Sequence, residues 1–340
     1  MRAVLFHEYG GVDKLRYEEV GEPTLNEEDV LVRVKACSLN HIDIWNREGV
    51  YKVDLPHIPG SDVSGVVEKV GKKVREFRIG DKVIISPAIS CFKCDNCLSG
   101  NDNLCDSFKI FGSHTNGGYA EFAKAHKKDI IPIPMGVSFE QAAAFPLVFL
   151  TAWHMLIHRA QVKRKQSVLI LAAGGGLGTA AIQIAKYAGA TVIAAAGSEE
   201  KLKKAKELGA DDTINYKEVE FDKEARRLTN GKGVDVVFES IGKETWQKSI
   251  NALAKNGKIV IAGASGGDTA ELNIRHLYGN QFSILGSIMG TRKELLEISK
   301  LIAIGKLKPV IDSVYPLKEA GKAQEMMLGR KNFGKLVLVP

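Results

Sequence analysis

Four of the five cysteines lie in one short segment, Cys91-x2-Cys94-x2-Cys97-x7-Cys105, inside a polar loop. Thiolates crowded in this way satisfy a tetrahedral Zn²⁺, and in a reducing compartment disulfides between them would not persist. Four protein ligands leave no open position for water, so one structural zinc per chain that pins the loop is expected. The competing reading is free or redox-active cysteines, but a redox pair normally sits at a strand-to-helix turn and this cluster does not. Cys37 reads as a buried core thiol.

The second chemically suggestive stretch is Val168-Leu169-Ile170-Leu171-Ala172-Ala173-Gly174-Gly175-Gly176-Leu177-Gly178, running directly into the helical pattern Thr179 to Tyr187. Glycines there let the backbone turn tightly against a pyrophosphate, and the free N–H groups and helix dipole favour its charge. Gly-rich strings alone are often flexible turns; one between a buried strand and an amphipathic helix points to a dinucleotide. Ala173 stands where the usual pattern has its first glycine. The next strand ends Ala195-Ala196-Gly197-Ser198, without the acidic residue that holds an NAD ribose. Ser198 can hydrogen-bond a 2′-phosphate and Lys201 can offset its charge, so NADPH is the expected cofactor. Glu199 and Glu200 open a helix and are read as serving its dipole. Ser240 and Ala262, at the ends of two later strands, are further candidate cofactor contacts.

These residues need a scaffold. Residues 1 to 148 carry short β-type runs (Val30 to Val34, Ser64 to Val70, Lys82 to Ser86, Ala120 to Ala123) between Gly, Pro and Asp turns, which suggests an antiparallel or barrel-like domain. From Val168 the apolar runs Val168 to Leu171, Val192 to Ala195, Thr213 to Asn215, Val234 to Phe238, Ile259 to Ala262 and Ser283 to Leu285 alternate with helical patterns, as a buried parallel sheet requires. The tail, 289–340, returns to a helix-then-strand pattern and is expected to rejoin the first domain. The expected division is therefore 1–148 with 289–340, including a zinc lobe at about 88–108, and 149–288 as the dinucleotide domain.

At 340 residues the chain is long enough for two domains, and 45% hydrophobic with 26% charged residues argues against disorder. The start, Met1 to Glu8, reads as a first strand and not as a signal peptide, and Ala142 to Trp153 is too short to span a bilayer. A cytoplasmic location is expected. The net charge of +7 favours anionic partners. The basic runs Lys163 to Lys165 and Lys201 to Lys206 lack interleaved aromatics and read as solvated helix faces, so a small-molecule substrate is expected in place of nucleic acid or a membrane.

The cysteine spacing, the β domain ahead of the glycine turn and the closing Gly334-Lys335 strand together resemble the zinc-containing alcohol dehydrogenase family in its medium-chain dehydrogenase/reductase form. That resemblance spans essentially the whole chain and implies an α/β fold: a β-rich GroES-like barrel domain plus a Rossmann domain with a doubly wound parallel sheet. It also exposes a departure. In alcohol dehydrogenases of this family a Cys, a His in Gly-His-Glu and a later Cys or acid hold a catalytic zinc. Here Asn40 and Ser61 stand at the first two positions, and Gln141 to Ala152 contains no Cys, His, Asp or Glu for the third. An amide and a hydroxyl are poor zinc ligands. His41, Asp62 and His154 are the residues from which a replacement site would have to be built.

Members without that metal are similar to the quinone oxidoreductases and enoyl reductases, whose Asn-x-x-Asp motif is matched by Asn40 and Asp43. Their Lys and Tyr for the 2′-phosphate are matched by Lys201 and Tyr216. The resemblance then implies hydride transfer to an acceptor activated by its own conjugation: an enoyl thioester such as acryloyl-CoA, another α,β-unsaturated carbonyl, or a quinone. Candidate roles are Asn40 as a polar contact to substrate or nicotinamide ribose, Tyr51 as proton donor, and Thr151 with Leu177 beside the nicotinamide. Asn40 can equally be a helix cap, Asp43 a loop brace and Tyr51 surface packing. An alcohol or aldehyde oxidoreductase with a rebuilt metal site, and a cofactor-binding protein without turnover, remain the other readings. A homodimer or homotetramer is expected because the last sheet strand, near Gln281 to Ser287, would otherwise be an open edge.

Overall fold

The computed structural model describes residues 1–340. It forms two compact units, Met1–Leu147 with Thr291–Pro340, and Val148–Gly290.

The first unit is mainly antiparallel. Its strands before the second unit are β1 (Arg2–Leu5), β2 (Arg16–Glu19), β3 (Asp29–Ser38), β4 (Asp62–Val70), β5 (Lys82–Ile85), β6 (Ala88–Ile89), β7 (Lys109–Ile110), β8 (Phe122–His126) and β9 (Ile130–Pro132). The second unit contributes β10 (Ser167–Ile170), β11 (Thr191–Ala196), β12 (Asp212–Asn215), β13 (Val234–Glu239), β14 (Leu253–Ile261) and β15 (Ser283–Gly286), after which the chain returns to the first unit with β16 (Ile311–Pro316) and β17 (Lys335–Val339).

The main sheet of the first unit runs β16-β17-β3-β4-β5-β9, with β8 also paired to β3. Strand β3 holds three partners because its ten residues let β8, at Asp29 to Arg33, and β17, at Cys37 and Ser38, take different stretches while β4 pairs along Val30 to Ser38, and Val30, Val32 and Val34 feed one core with Val63, Val67, Val83 and Leu338. The run Ala120 to Ala123 is only partly strand. Ala120 makes a lone bridge to Ala3, and regular pairing starts at Phe122, opposite Arg33. The pair β16–β17 is parallel, with Val314 opposite Val337.

In the second unit all neighbouring strands are parallel, in the order β12-β11-β10-β13-β14-β15. This is a doubly wound sheet whose order reverses beside β10, and ligands of such sheets bind beyond the carboxyl ends of the strands at that reversal. Strands β10, β11 and β13 are apolar on both faces, as a sheet covered by helices on each side demands. Strand β14 begins at Leu253, well before the apolar run at Ile259, because Leu253 already pairs with Val234; the register then shifts, and regular pairing resumes at Lys258, opposite Val236. No helix is long and apolar enough to cross a membrane.

Candidate functional site

In the second unit the glycine turn joins β10 to the helix Gly176–Tyr187, which Gly175 precedes as N-cap. Ala172 carries the turn at a positive φ of 50°. Gly178 sits in the first helical turn, where an added Cβ would lie 2.4 Å from the Ala172 carbonyl oxygen, so helix and strand approach each other through a bare backbone. Gly174 is crossed by the stem of Lys201, whose Cδ lies 2.7 Å from where a Cβ would be. Tyr216 lays its ring over Gly197, within 3.0 Å of the same construction there. Ser198 caps the helix Glu199–Glu207 by accepting from the Lys201 N–H.

Gly174, Gly197, Ser198, Lys201 and Tyr216 therefore meet at the carboxyl ends of β10, β11 and β12, with Gly175, Gly176, Leu177 and Gly178 in the adjoining turn. The two nearby carboxylates each have an oxygen engaged. Glu199 accepts from Asn215 at 3.0 Å, and Glu200 pairs with Lys204 at 2.7 Å. Further along the same sheet edge, Ser240 follows β13 and Ala262 follows β14; the Ala262 N–H donates to the carbonyl of Glu239, the last residue of β13, at 3.2 Å. Thr151 is buried within the helix Pro146–Trp153.

One residue here escaped the sequence reading. Glu239 is fully buried and accepts from the Ile241 and Gly242 N–H groups and from the hydroxyls of Thr245 and Ser249, at 2.6 to 3.1 Å. It holds the loop after β13, and the only signal was an acid closing an apolar strand.

The first unit holds a second polar constellation. Asn40 ends the segment after β3 and caps the helix His41–Glu48; its own N–H donates to Asp43 at 2.8 Å. Asp62, fully buried, opens β4; one carboxylate oxygen accepts from Leu147 N–H at 2.8 Å. The other accepts from Asn40 Nδ2 at 2.9 Å and Lys335 Nζ at 3.1 Å. Lys335 completes its donors with the Leu39 carbonyl at 2.7 Å and Asn40 Oδ1 at 2.6 Å. The neighbouring Ser61 hydroxyl is buried with no hydrogen-bond partner.

One expectation needs correction. Asp43 is not placed to meet a substrate: it is fully buried, and its carboxylate accepts from Asn40 N–H, Gly60 N–H at 3.2 Å and Tyr119 Oη at 3.1 Å, so it braces three segments. Asp62, one of the residues from which a rebuilt metal site would be made, has both oxygens engaged and the Lys335 ammonium against it. Of the other proposed ligands, His41 packs its ring 5.9 Å from Trp45, and His154 is buried and stacked 4.6 Å from His158. Tyr51 is half exposed, edge-on to Trp45 at 5.9 Å. Lys335 was read only as part of a closing strand; a lysine leading an apolar strand was the one available sign of its role.

Burial pushes the Asp43 carboxyl up to about 7, against the opposing pull of the Asn40 N–H, the Lys335 ammonium and the Tyr119 hydroxyl. The unfolded chain releases this proton near the ordinary value of 3.8, so between there and about 7 the folded state binds more protons. Stability contributed by Asp43 is thus full at the acid end and falls as pH rises through that window, by at most about 1.4 kcal/mol per pH unit. Asp43→Asn is expected to flatten the pH dependence of urea unfolding between about pH 5 and 7. Parallel wild-type and mutant curves would clear Asp43 as its source.

The cysteine lobe gathers all four sulfurs within 4.8 Å of one another, with Cys91 and Cys97 at 3.8 Å. A tetrahedral ion with metal–sulfur bonds of about 2.3 Å needs sulfurs about 3.8 Å apart, so the donor set fits zinc. The N–H groups of Lys93 and Cys94 pull the Cys91 thiol down to about 6. Burial and bonding to neighbouring sulfurs push Cys97 up to about 12. Sulfurs this close cannot all ionise without a cation among them.

A doubly wound sheet with a glycine turn, joined in one chain to a β-rich unit bearing a four-cysteine lobe, defines a nucleotide-dependent dehydrogenase or reductase. Residues 26–135 match the alcohol dehydrogenase GroES-like domain and residues 176–303 the zinc-binding dehydrogenase domain. The human quinone oxidoreductase is 33% identical over 100% of this chain and 98% of its own length. A crystal structure of an NAD-dependent alcohol dehydrogenase is 46% identical with a TM-score of 0.96, covering 100% of both chains. A crotonyl-CoA carboxylase/reductase in complex with NADP is 25% identical with a TM-score of 0.92, covering 100% of this chain and 94% of its own. The chain belongs to the medium-chain dehydrogenase/reductase family and is an oxidoreductase.

Proposed function

We propose that this oxidoreductase uses NADPH to reduce a conjugated acceptor, an enoyl thioester such as acryloyl-CoA or another α,β-unsaturated carbonyl, or a quinone, without a catalytic metal. The observation that carries the reading is the Lys335 ammonium seated among Leu39 O, Asn40 Oδ1 and Asp62 Oδ2. An amide oxygen and a carboxylate already committed to an ammonium do not fit a zinc ion, which prefers thiolate and imidazole. Without such an ion to polarise an alcohol oxygen, the acceptor has to be electrophilic through its own conjugation.

The nicotinamide, when bound, supplies the hydride. The chain's residues orient and exclude water. Gly174 to Gly178 present bare backbone to a pyrophosphate. Ser198, Lys201 and Tyr216 are assigned to a 2′-phosphate, and the nearby Glu199 and Glu200 are tied to Asn215 and Lys204. Ser240, Ala262, Thr151 and Leu177 are assigned to the rest of the dinucleotide. Asn40 donates one amide hydrogen to Asp62. Its second is assigned to the oxygen on which charge develops, a role in which a single donor can contribute about 3 kcal/mol. Tyr51 is the assigned proton donor. One zinc in the cysteine lobe completes the cofactor set, and a reduced thiolate cluster suits a cytoplasmic setting. Strand β15 ends the six-stranded sheet with Ile284 exposed, and Ile288 just beyond it is exposed too, so a homodimer or homotetramer covering that edge is proposed as well.

The second reading, an NAD-dependent alcohol or aldehyde dehydrogenase, is favoured by the 46% identity to the structure of that description. Metal analysis and steady-state assays with crotonyl-CoA, acryloyl-CoA and 9,10-phenanthrenequinone separate the two. The expected result is one zinc per chain and oxidation of NADPH at least about 10-fold more efficient than of NADH. Two zinc ions per chain with NAD⁺-driven alcohol oxidation would replace this reading by the second. Bound NADPH with no acceptor turnover would leave a non-catalytic binder.

A further inference from the structure

We propose that Lys335 is the positioning residue of the reaction centre: it fixes the orientation of the Asn40 amide, so that the N–H₂ edge and not the carbonyl edge is presented outside the polar ring. The inference rests on the functional reading above only in taking Asn40 as the acceptor contact.

Backbone register brings the two residues together. Strand β17 pairs antiparallel to β3 with Val337 opposite Ser38, and the Leu39 N–H donates to the Leu336 carbonyl at 3.0 Å, which sets Lys335 opposite Asn40 across 295 residues of sequence. The lysine side chain is only 4% exposed, and Asp62 not at all. A lysine this buried needs partners for its charge and donors. Its ammonium has three hydrogens to donate and nothing with which to accept, so the amide atom 2.6 Å away has to be the oxygen. The amide nitrogen is thereby turned toward Asp62, to which it donates at 2.9 Å.

Lysine, asparagine and aspartate thus form a closed triangle in which the ammonium at the amide oxygen and the carboxylate at the amide nitrogen select the same orientation, with the Ser38 hydroxyl also donating to Asp62 at 3.3 Å. The triangle uses one Nδ2 hydrogen and leaves the second outside it. Stability alone does not account for this arrangement, since apolar side chains of similar volume commonly replace buried ion pairs without loss. An amide free to rotate would offer an oxygen to a developing oxyanion half of the time, and that contact is repulsive.

The test compares Lys335→Met, Lys335→Arg and the charge-balanced Lys335→Met/Asp62→Asn, the last retaining a foldable core if the single variant fails. In the folded double variant, which removes both orienting charges, kcat with the unsaturated acceptor is expected to fall about 100-fold while KM for NADPH stays within about twofold; Lys335→Met alone, in which Asp62 still accepts from the Asn40 amide, is expected to lose about 10-fold, and Lys335→Arg less than that. A kcat within about threefold of wild type in the double variant, or an arginine no better than methionine, overturns the proposal. An acceptor-independent readout keeps it separate from the functional reading. With ¹⁵N-labelled asparagine, the wild-type Asn40 side-chain amide should show one protected hydrogen and slow rotation, both lost in the double variant. If wild type turns nothing over, the functional reading falls, and unchanged Asn40 exchange would overturn the positioning role by itself.

Discussion

A single methyl group at position 178 is expected to weaken NADPH binding by about 100-fold, whereas the same change at Gly175 should cost less than about threefold. The Cβ of Gly178→Ala would stand 2.4 Å from the Ala172 oxygen and 2.7 Å from the Ala173 Cα, both backbone atoms that no rotamer change can move. The helix Gly176–Tyr187 would have to withdraw from β10, taking with it the N–H groups assigned to the pyrophosphate, at an overpacking cost of about 1 to 3 kcal/mol. At Gly175 the nearest atom to an added Cβ is 3.5 Å away and φ is −78°, so alanine fits without strain. Fluorescence titration of each variant with NADPH, alongside urea unfolding, measures both effects. Equal affinities for the two variants would show that close helix–strand packing does not set the phosphate site.

The second large effect is expected at Asp62. Asp62→Ala strips the buried Lys335 ammonium of its only carboxylate and leaves the Leu147 N–H without an acceptor, so a loss of about 3 to 5 kcal/mol in unfolding free energy is expected. Adding Lys335→Met to Asp62→Ala should return a large part of that loss, because the uncompensated charge is then gone. Urea unfolding of the four species in this cycle gives the coupling directly. Additive losses would mean that the ammonium finds another partner and that the pair is energetically independent.

The expected recovery in that double variant illustrates what a linear sequence conceals. Lys335 and Asn40 are unremarkable when read separately, and neither has a local pattern that requires the other. They meet because β17 lies beside β3 in one particular register, and a slip of one residue would turn the lysine to the opposite face. Asp43 shows the same limit from the other side. Its spacing from Asn40 suited a catalytic motif, but the same three-residue spacing is what a helix-capping pair needs, and Gly60 and Tyr119, distant in sequence, complete its brace. The run at Ala120 differs from its pattern for a related reason: strand pairing begins only where β3 lies alongside, at Phe122.

What the sequence determined by itself was whatever depends on local periodicity or on ligands close together in the chain. Continuous apolar runs alternating with helical patterns specify a covered parallel sheet because each strand must bury both faces. The glycine turn specifies a helix start open to phosphate, and four cysteines within one loop specify a thiolate cluster because few residues separate them. Tertiary structure decided which acid braces, which stays paired, and which cation sits beside Asn40. Those outcomes follow from burial and from contacts across hundreds of residues, where the cost of an unpaired charge is settled by neighbours that only folding supplies.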